Sequence, residues 1–311
     1  MDTTKQLYEQ EATGWKRGLY DDIQRTFRAP VVNWIFRTLM ANRPEFLRYL
    51  WGQVKPVFQT RAFGRYTVQY RDAVLSAVES EGAIPRFRRE EVDVRPAEYR
   101  ELRGQIATFD VVAPRLALLF ELADRLLHDD PVGEEWGGEA SAGDDAEDED
   151  RRRDAGRAAT APLPAWLDAD RGLSPTLGTA DELDGDAATA VSEIEAFHGL
   201  GDTLPSVYRC LVQWPGYLTA AWPESKPLLE SDGFEEGHER ADELTAEFVS
   251  RLPYAPRLRP EDLRRRGMDD EAVEDVQRLF RRFDTGPVET VLPAIALHAE
   301  TVGAAGRREW D

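Results

Sequence analysis

Two aspartates stand at matched places in the chain, Asp110 after Phe109 and Asp284 after Phe283. Paired carboxylates near a shared axis can share a proton or hold a water, which is general-base chemistry. Capping of two helix ends is the plainer reading of the same pair. Lys55 and Lys226 are matched too, and they are two of only four lysines against 35 arginines. Two ammonium groups facing one site can hold a substrate carboxylate. A lysine that complements the dipole at a helix end, before a proline, is the plainer reading. The single cysteine, Cys210, excludes an intramolecular disulfide and reads as a small core residue rather than a nucleophile. His128, His198, His238 and His298 never fall at metal-ligand spacing, so no metal is expected. The chain also lacks a Gly-rich phosphate loop, a G-x-S-x-G elbow and an H-E-x-x-H pair.

The matching of these residues comes from an internal repeat. FRTLMANRPEFLRYLWGQVKP at 36–56 aligns with YRCLVQWPGYLTAAWPESKP at 208–227, with one extra residue before Pro44. From Pro44/Pro215 the offset is 171, and it carries Phe46/Tyr217, Leu47/Leu218, Trp51/Trp222 and Lys55/Lys226. It persists to Phe63/Phe234 and to Pro85/Pro256, and a slightly longer offset aligns Phe109-Asp110 with Phe283-Asp284. Two copies of this length predict a pseudo-dimer with a shared interface rather than a solenoid.

Each copy reads as helices. Trp15, Leu19, Tyr20, Ile23 and Phe27 share one helical face, as do Leu116, Leu119, Phe120, Ala123, Leu126 and Leu127. Pro30 and Pro205 suit the first turn of a following helix, with Asp202 or Thr203 as a cap, and Pro44 and Pro215 start the next. Only 65–69 hints at a strand. The expected fold is therefore all-α: helical repeat 1 over 1–128, an acidic linker over 129–190, and helical repeat 2 over 191–311. The linker holds 18 acidic and five basic residues of a chain whose net charge is −20. Its GDDAEDED run has too little apolar content to fold alone, whereas PLPAWLDA at 162–169 is expected to dock on the surface. Such acidity argues against nucleic acid. Arginine bias with excess acid fits a halophilic source, and a high-GC genome gives the same bias. No apolar run spans a membrane and no secretory h-region opens the chain, so a cytoplasmic protein is expected.

The repeat core F-R-x-L-x(4)-P-x-(F/Y)-L followed by Trp, with the length and the central linker, resembles the group I 2-haloacid dehalogenases, the DehI family. The likeness spans about 18–128 and 190–303. It implies an all-α protein of two repeats with the active site between them. It also implies a cofactor-independent hydrolase in which an Asp activates water to displace halide from 2-haloalkanoic acids. Counted from Trp214-Pro215, the family's Asp falls on Val207. The helper Asn, in the stretch Phe109-Asp110-Val111-Val112-Ala113-Pro114-Arg115, falls on Ala113. Pocket-lining aromatics fall on Val31, Trp34 and Phe280.

Valine takes no proton and alanine orients no water, so two readings stay open. In one, the chain is a dehalogenase-like hydrolase with altered chemistry, Asp110 serving as a relocated base one turn before Ala113. In the other, it is a non-catalytic binder of a small hydrophobic carboxylate in a pocket lined by Val31, Trp34, Ala113, Val207 and Phe280. The expected partner is a small-molecule carboxylate, and a homodimer stays open; a protein-partner role for the acidic linker has only its charge in support, which a solvated linker explains better.

Overall fold

The computed structural model describes residues 1–133, 160–168, 171–199, 204–285 and 288–310. Of the expected acidic linker, 134–159 and 169–170 lie outside them. The described residues form α1 (Gly14–Phe27), α2 (Trp34–Asn42), α3 (Pro44–Val54), α4 (Arg61–Glu81) and α5 (Pro96–Leu127). They continue with α6 (Gly185–His198), α7 (Ser206–Leu211), α8 (Pro215–Leu229) and α9 (Asp232–Ser250). The chain ends with α10 (Pro260–Arg265), α11 (Asp270–Asp284) and α12 (Val288–Thr301). No strand occurs among the described residues, only an isolated bridge between Thr60 and Pro162. No helix among them is long and apolar enough to cross a membrane.

Local chemistry sets most helix starts. Pro44, Pro96, Pro215 and Pro260 open α3, α5, α8 and α10, where a missing N–H leaves nothing unpaired. The Thr60 hydroxyl accepts from Phe63 N at 3.1 Å to cap α4, and the Ser231 hydroxyl accepts from Phe234 N at 3.2 Å to cap α9. The expected start of α2 at Pro30 is late: Pro30 lies in the connection and Trp34 begins the helix. Asp202 and Thr203 lie outside the described residues, and Pro205 takes the N-cap position of α7. The strand hint at 65–69 is also wrong. Tyr66, Thr67 and Val68 are buried within α4, where packing overrides their strand preference. On α1, Tyr20, Ile23 and Phe27 are fully buried, but Trp15 is 41 % exposed under the Arg48 guanidinium.

The centre of the molecule is the crossing of α4 and α9. Phe63 meets Phe248, the Tyr66 hydroxyl bonds the Thr245 hydroxyl at 2.8 Å, and Gly237 lies against Val74. Position rises along one helix as it falls along the other, so the two pack antiparallel. A Cβ on Gly237 would sit 2.9 Å from Val74 Cα, so only glycine lets the backbones approach this closely. Leu163 and Leu167, from the docked stretch, cover Gly64 of α4 in a similar way, while Trp166 turns outward against Trp310.

A buried polar cluster joins α6, α7 and α12. The Tyr208 hydroxyl lies 2.6 Å from His198 Nε2 and 3.2 Å from His298 Nε2, and His198 Nδ1 lies 2.8 Å from the Thr290 hydroxyl. A neutral chain satisfies these contacts: His298 Nε2–H donates to Tyr208, Tyr208 donates to His198, and His198 Nδ1–H donates to Thr290. Burial holds both imidazoles neutral, lowering His198 to about 3 and His298 to about 4. This cluster fixes Tyr208, and therefore its neighbour Val207.

Gly237→Ala is expected to lower the unfolding free energy by about 1–3 kcal/mol through overpacking at α4. Gly18→Ala, where a Cβ meets nothing within 4 Å, should be neutral or stabilising in the same denaturant titration. The histidine pair gives a pH signature. Between about 6.5 and 4 the unfolded histidines bind protons that the folded ones refuse, so stability drops as pH falls through that window. Each histidine contributes a slope of about 1.4 kcal/mol per pH unit. His298→Gln should remove one such slope between pH 6.5 and 5; parallel curves for variant and wild type would contradict it.

Candidate active site

A cavity of about 420 Å³ opens where the start of α2, the middle of α5, the start of α7 and the body of α12 converge. Trp34 and Ile35 contribute from α2; Phe109, Val112, Ala113, Leu116 and Phe120 from α5; Val207 and Arg209 from α7. Val291, Leu292 and Ile295 close it from α12, and Thr3, Thr4 and Gln6 of the N-terminal stretch lie over it. Trp34 and Phe120 each hold the Phe283 ring at 5.0 Å, which makes one aromatic wall. Size and lining suit a small, mostly apolar molecule.

Three of the five expected pocket residues, Trp34, Ala113 and Val207, line this cavity together. The other two do not. Phe280 is fully buried behind the wall, edge-on to Phe120 at 6.5 Å, and Val31 packs against the core next to α2. No Asp, Glu, His or Cys stands among the described lining residues, so the described part of the wall carries no group able to take a proton near neutral pH. It does carry charge. The Arg209 guanidinium makes only a long contact to Gly178 O at 3.4 Å, and Arg282 makes no hydrogen bond or ion pair among the described residues. Gln6 Oε1 and Asn33 Oδ1 are buried there without partners. These four residues were missed from sequence. Arg209 alone left a signal, since no acidic residue lies within four positions of it.

Asp110 does not share the pocket with Ala113. Its oxygens accept from Arg71 Nε at 2.9 and 3.0 Å, from Arg171 Nη2 at 2.9 Å and from Gly306 N at 2.9 Å, and the residue is 2 % exposed. Asp168 continues the web, accepting from Arg115 Nη2 at 2.9 Å and Arg171 Nη1 at 3.0 Å. Burial pushes the Asp168 carboxyl up, but Arg115, Arg71 and Arg171 outweigh it and hold it at about 2. Asp110 faces the Arg71 and Arg171 guanidiniums and the Gly306 N–H rather than the cavity, so the relocated-base reading of Asp110 fails on geometry. Nor is it a helix cap, because it lies in the middle of α5. Lys55 spends its charge on Asp22 at 2.8 Å, beside the Trp51 indole that bonds the same carboxylate. Lys226 faces Glu193 at 3.7 Å beside Trp222. Both lysines brace helix pairs and reach no cavity. Cys210 is fully buried, with its thiol pushed up to about 12 by burial, as a core residue should be.

Asp284 ends α11 instead of capping a helix start, and it lines a second, acidic cavity of about 550 Å³. Burial, with Glu121 and Asp124 nearby, pushes its carboxyl up to about 7. On the rim of that cavity His238, Asp242 and Glu289 place ligand atoms within 4.8 Å of one another, a grouping the linear spacing of the histidines did not suggest.

Residues 30–183 match the family model described as halocarboxylic acid dehydrogenase DehI. An (R)-2-haloacid dehalogenase of Rhizobium sp. (strain NHG3) is 26 % identical over 81 % of this chain and 89 % of its own length. One of Pseudomonas putida is 23 % identical over 85 % of this chain and 82 % of its own. A solved D-2-haloacid dehalogenase mutant in complex with D-2-CPA superposes with a TM-score of 0.75 at 18 % identity, over 95 % of this chain and 94 % of that one. The same enzyme type in complex with L-LA superposes at 0.74 and 19 % identity, over 95 % of both chains. The helical fold, the length of chain matched and the family model agree: the chain is similar to the DehI family over most of its length.

Proposed function

We propose that the 420 Å³ cavity takes a small 2-substituted carboxylic acid and that the chain is a dehalogenase-like protein whose hydrolytic step is altered or lost. One observation carries this reading: Val207 and Ala113, where the family's resemblance expects the water-activating Asp and its helper Asn, meet in a single apolar cavity with no acid or base in its described wall. Arg209 and Arg282 supply positive charge for the carboxylate, and the aromatic wall receives the apolar body. Loss of a positioned general base costs about 10²–10⁴-fold in rate. Binding needs none, so the cavity keeps the relatives' ligand class while losing their chemistry.

We also propose that the site lies between two copies of one unit, related by a pseudo-twofold axis through the α4–α9 crossing. The contacts there are reciprocal. Tyr66 meets Thr245, at the position matching Val74, and Val74 meets Gly237, at the position matching Tyr66. Self-complementary pairing of this kind is what a twofold interface requires. The Asp22–Trp51–Lys55 and Glu193–Trp222–Lys226 groups repeat at the same offset, as do the Thr60 and Ser231 caps.

Calorimetric titration with 2-chloropropionate is expected to give saturable binding that Arg209→Met weakens about tenfold. Wild type should release halide slowly, and the double variant Val207→Asp, Ala113→Asn should release it at least 100-fold faster. Fast release by wild type would refute the lost step, and no binding of any short carboxylate would refute the cavity's role. Asp110→Asn should cost about 3–5 kcal/mol of stability by leaving buried guanidiniums unpaired. A stable Asp110→Asn protein that loses a measurable halide release would restore Asp110 as a base.

A further inference from the structure

The acidic cavity lies among α4, α5, α9, α11 and α12, beyond the Phe120–Phe283 wall of the carboxylate cavity. Its described lining includes six carboxylates and no Lys or Arg. Some of these acids are already answered: Glu121 by Arg125, Glu243 by Arg240, Asp242 by His238. Asp284 and Glu289 are not, having no hydrogen bond or ion pair among the described residues. Removing an unpaired carboxylate from water is costly, and its proton affinity rises as a result, as Asp284 shows.

A second observation is independent of the acids. Five tyrosines are buried among the described residues, and four have a partner for the hydroxyl: Tyr20 on Leu7 O, Tyr66 on Thr245, Tyr208 on His198 and Tyr217 on Thr301. Tyr70 is the exception. It is 2 % exposed, lines the acidic cavity and has no hydrogen-bond partner among the described residues. Its hydroxyl, which no described group satisfies, belongs to the wall of a space large enough to hold a partner.

We infer that this cavity binds an organic ammonium ion, its N–H groups directed to Asp284 and Glu289 and its carbon body held against Phe120, Phe283 and Tyr70. A single metal ion fits less well. The grouping of His238, Asp242 and Glu289 that could ligate one does not include Asp284, and an ion there would leave Tyr70 unpartnered. A volume of about 550 Å³ with aromatic walls suits a molecule, and cation–π attraction adds to the carboxylate contacts. The site stands apart from the carboxylate cavity and does not depend on its proposed role.

Titration calorimetry of the full chain at low ionic strength with benzylamine, and with benzyl alcohol as the neutral isostere, tests it. Saturable binding of the amine and none of the alcohol is expected. Asp284→Asn should weaken the amine at least tenfold, Tyr70→Phe several-fold, and Ile295→Val, which lines only the other cavity, not at all. Equal binding of alcohol and amine, amine binding indifferent to Asp284→Asn, or binding of manganese with none of the amine would each overturn the assignment. Asp284→Asn removes an unpaired, partly buried carboxylate, so that variant should fold at least as stably as wild type, which a thermal melt will report.

Discussion

Two carboxylates and three guanidiniums closed off from water hold the first half of this molecule in one arrangement. Asp110 and Asp168 lie among Arg71, Arg115 and Arg171, and of the five only Arg171 keeps appreciable exposure. Desolvating such charges is expensive, and the web persists because its geometry is complete. The surplus cation is met by backbone: Arg71 donates to Arg307 O at 2.8 Å, Arg171 to Ala304 O at 2.7 Å, and Arg115 to Val111 O. Four parts of the chain are thereby tied together: α4, α5, the residues Asp168 and Arg171, and the C-terminal tail. Gly306 is part of the fit, since a Cβ there would fall within 3 Å of the Arg171 and Arg71 guanidiniums.

The same web explains how α5 tolerates a proline in its middle. Pro114 has no N–H to give to the carbonyl four residues back, which is that of Asp110. Arg71 Nη2 points at this oxygen from 3.4 Å, so the residue that holds the Asp110 side chain also faces the carbonyl freed by the proline. The helix runs on for 32 residues and carries Asp110 and Ala113 on different sides of itself, one into the charged web and the other into the apolar cavity. Further along the chain, α11 ends at Asp284 and α12 begins at Val288, and these ends supply Phe283, Asp284 and Val288 to the two cavities.

The two cavities divide the chemistry of the molecule. One is apolar, with arginines that lack acid partners; the other is acidic, with carboxylates and a tyrosine that lack partners. Both share Phe120, Phe283 and Leu292 as a partition. The curated relatives that match this chain are 2-haloacid dehalogenases, and a shared fold does not by itself fix which side chain activates water. In the function proposed above, valine at 207 and alanine at 113 keep the container and remove the reagent.

Much of the architecture was legible in the sequence because it rests on local and periodic signals. Prolines at helix starts, apolar stripes on α1 and α5, and the matched tryptophan–lysine groups are short-range features, and the helices follow them. Trp34, Ala113 and Val207 could be brought to one cavity by counting from Trp-Pro and Phe-Asp anchors. The sequence could not say where Asp110 points, because adjacent faces of a helix differ by only 100° and the partner that captures it, Arg171, is 61 residues away. Nor could it reveal that Tyr70 lacks a partner while Tyr66, one turn earlier, has Thr245, since burial and pairing are set by what α9 lays across α4. Spacing along the chain determined the helices and their repetition; which charges are answered and which are left facing a cavity was decided only when distant helices packed.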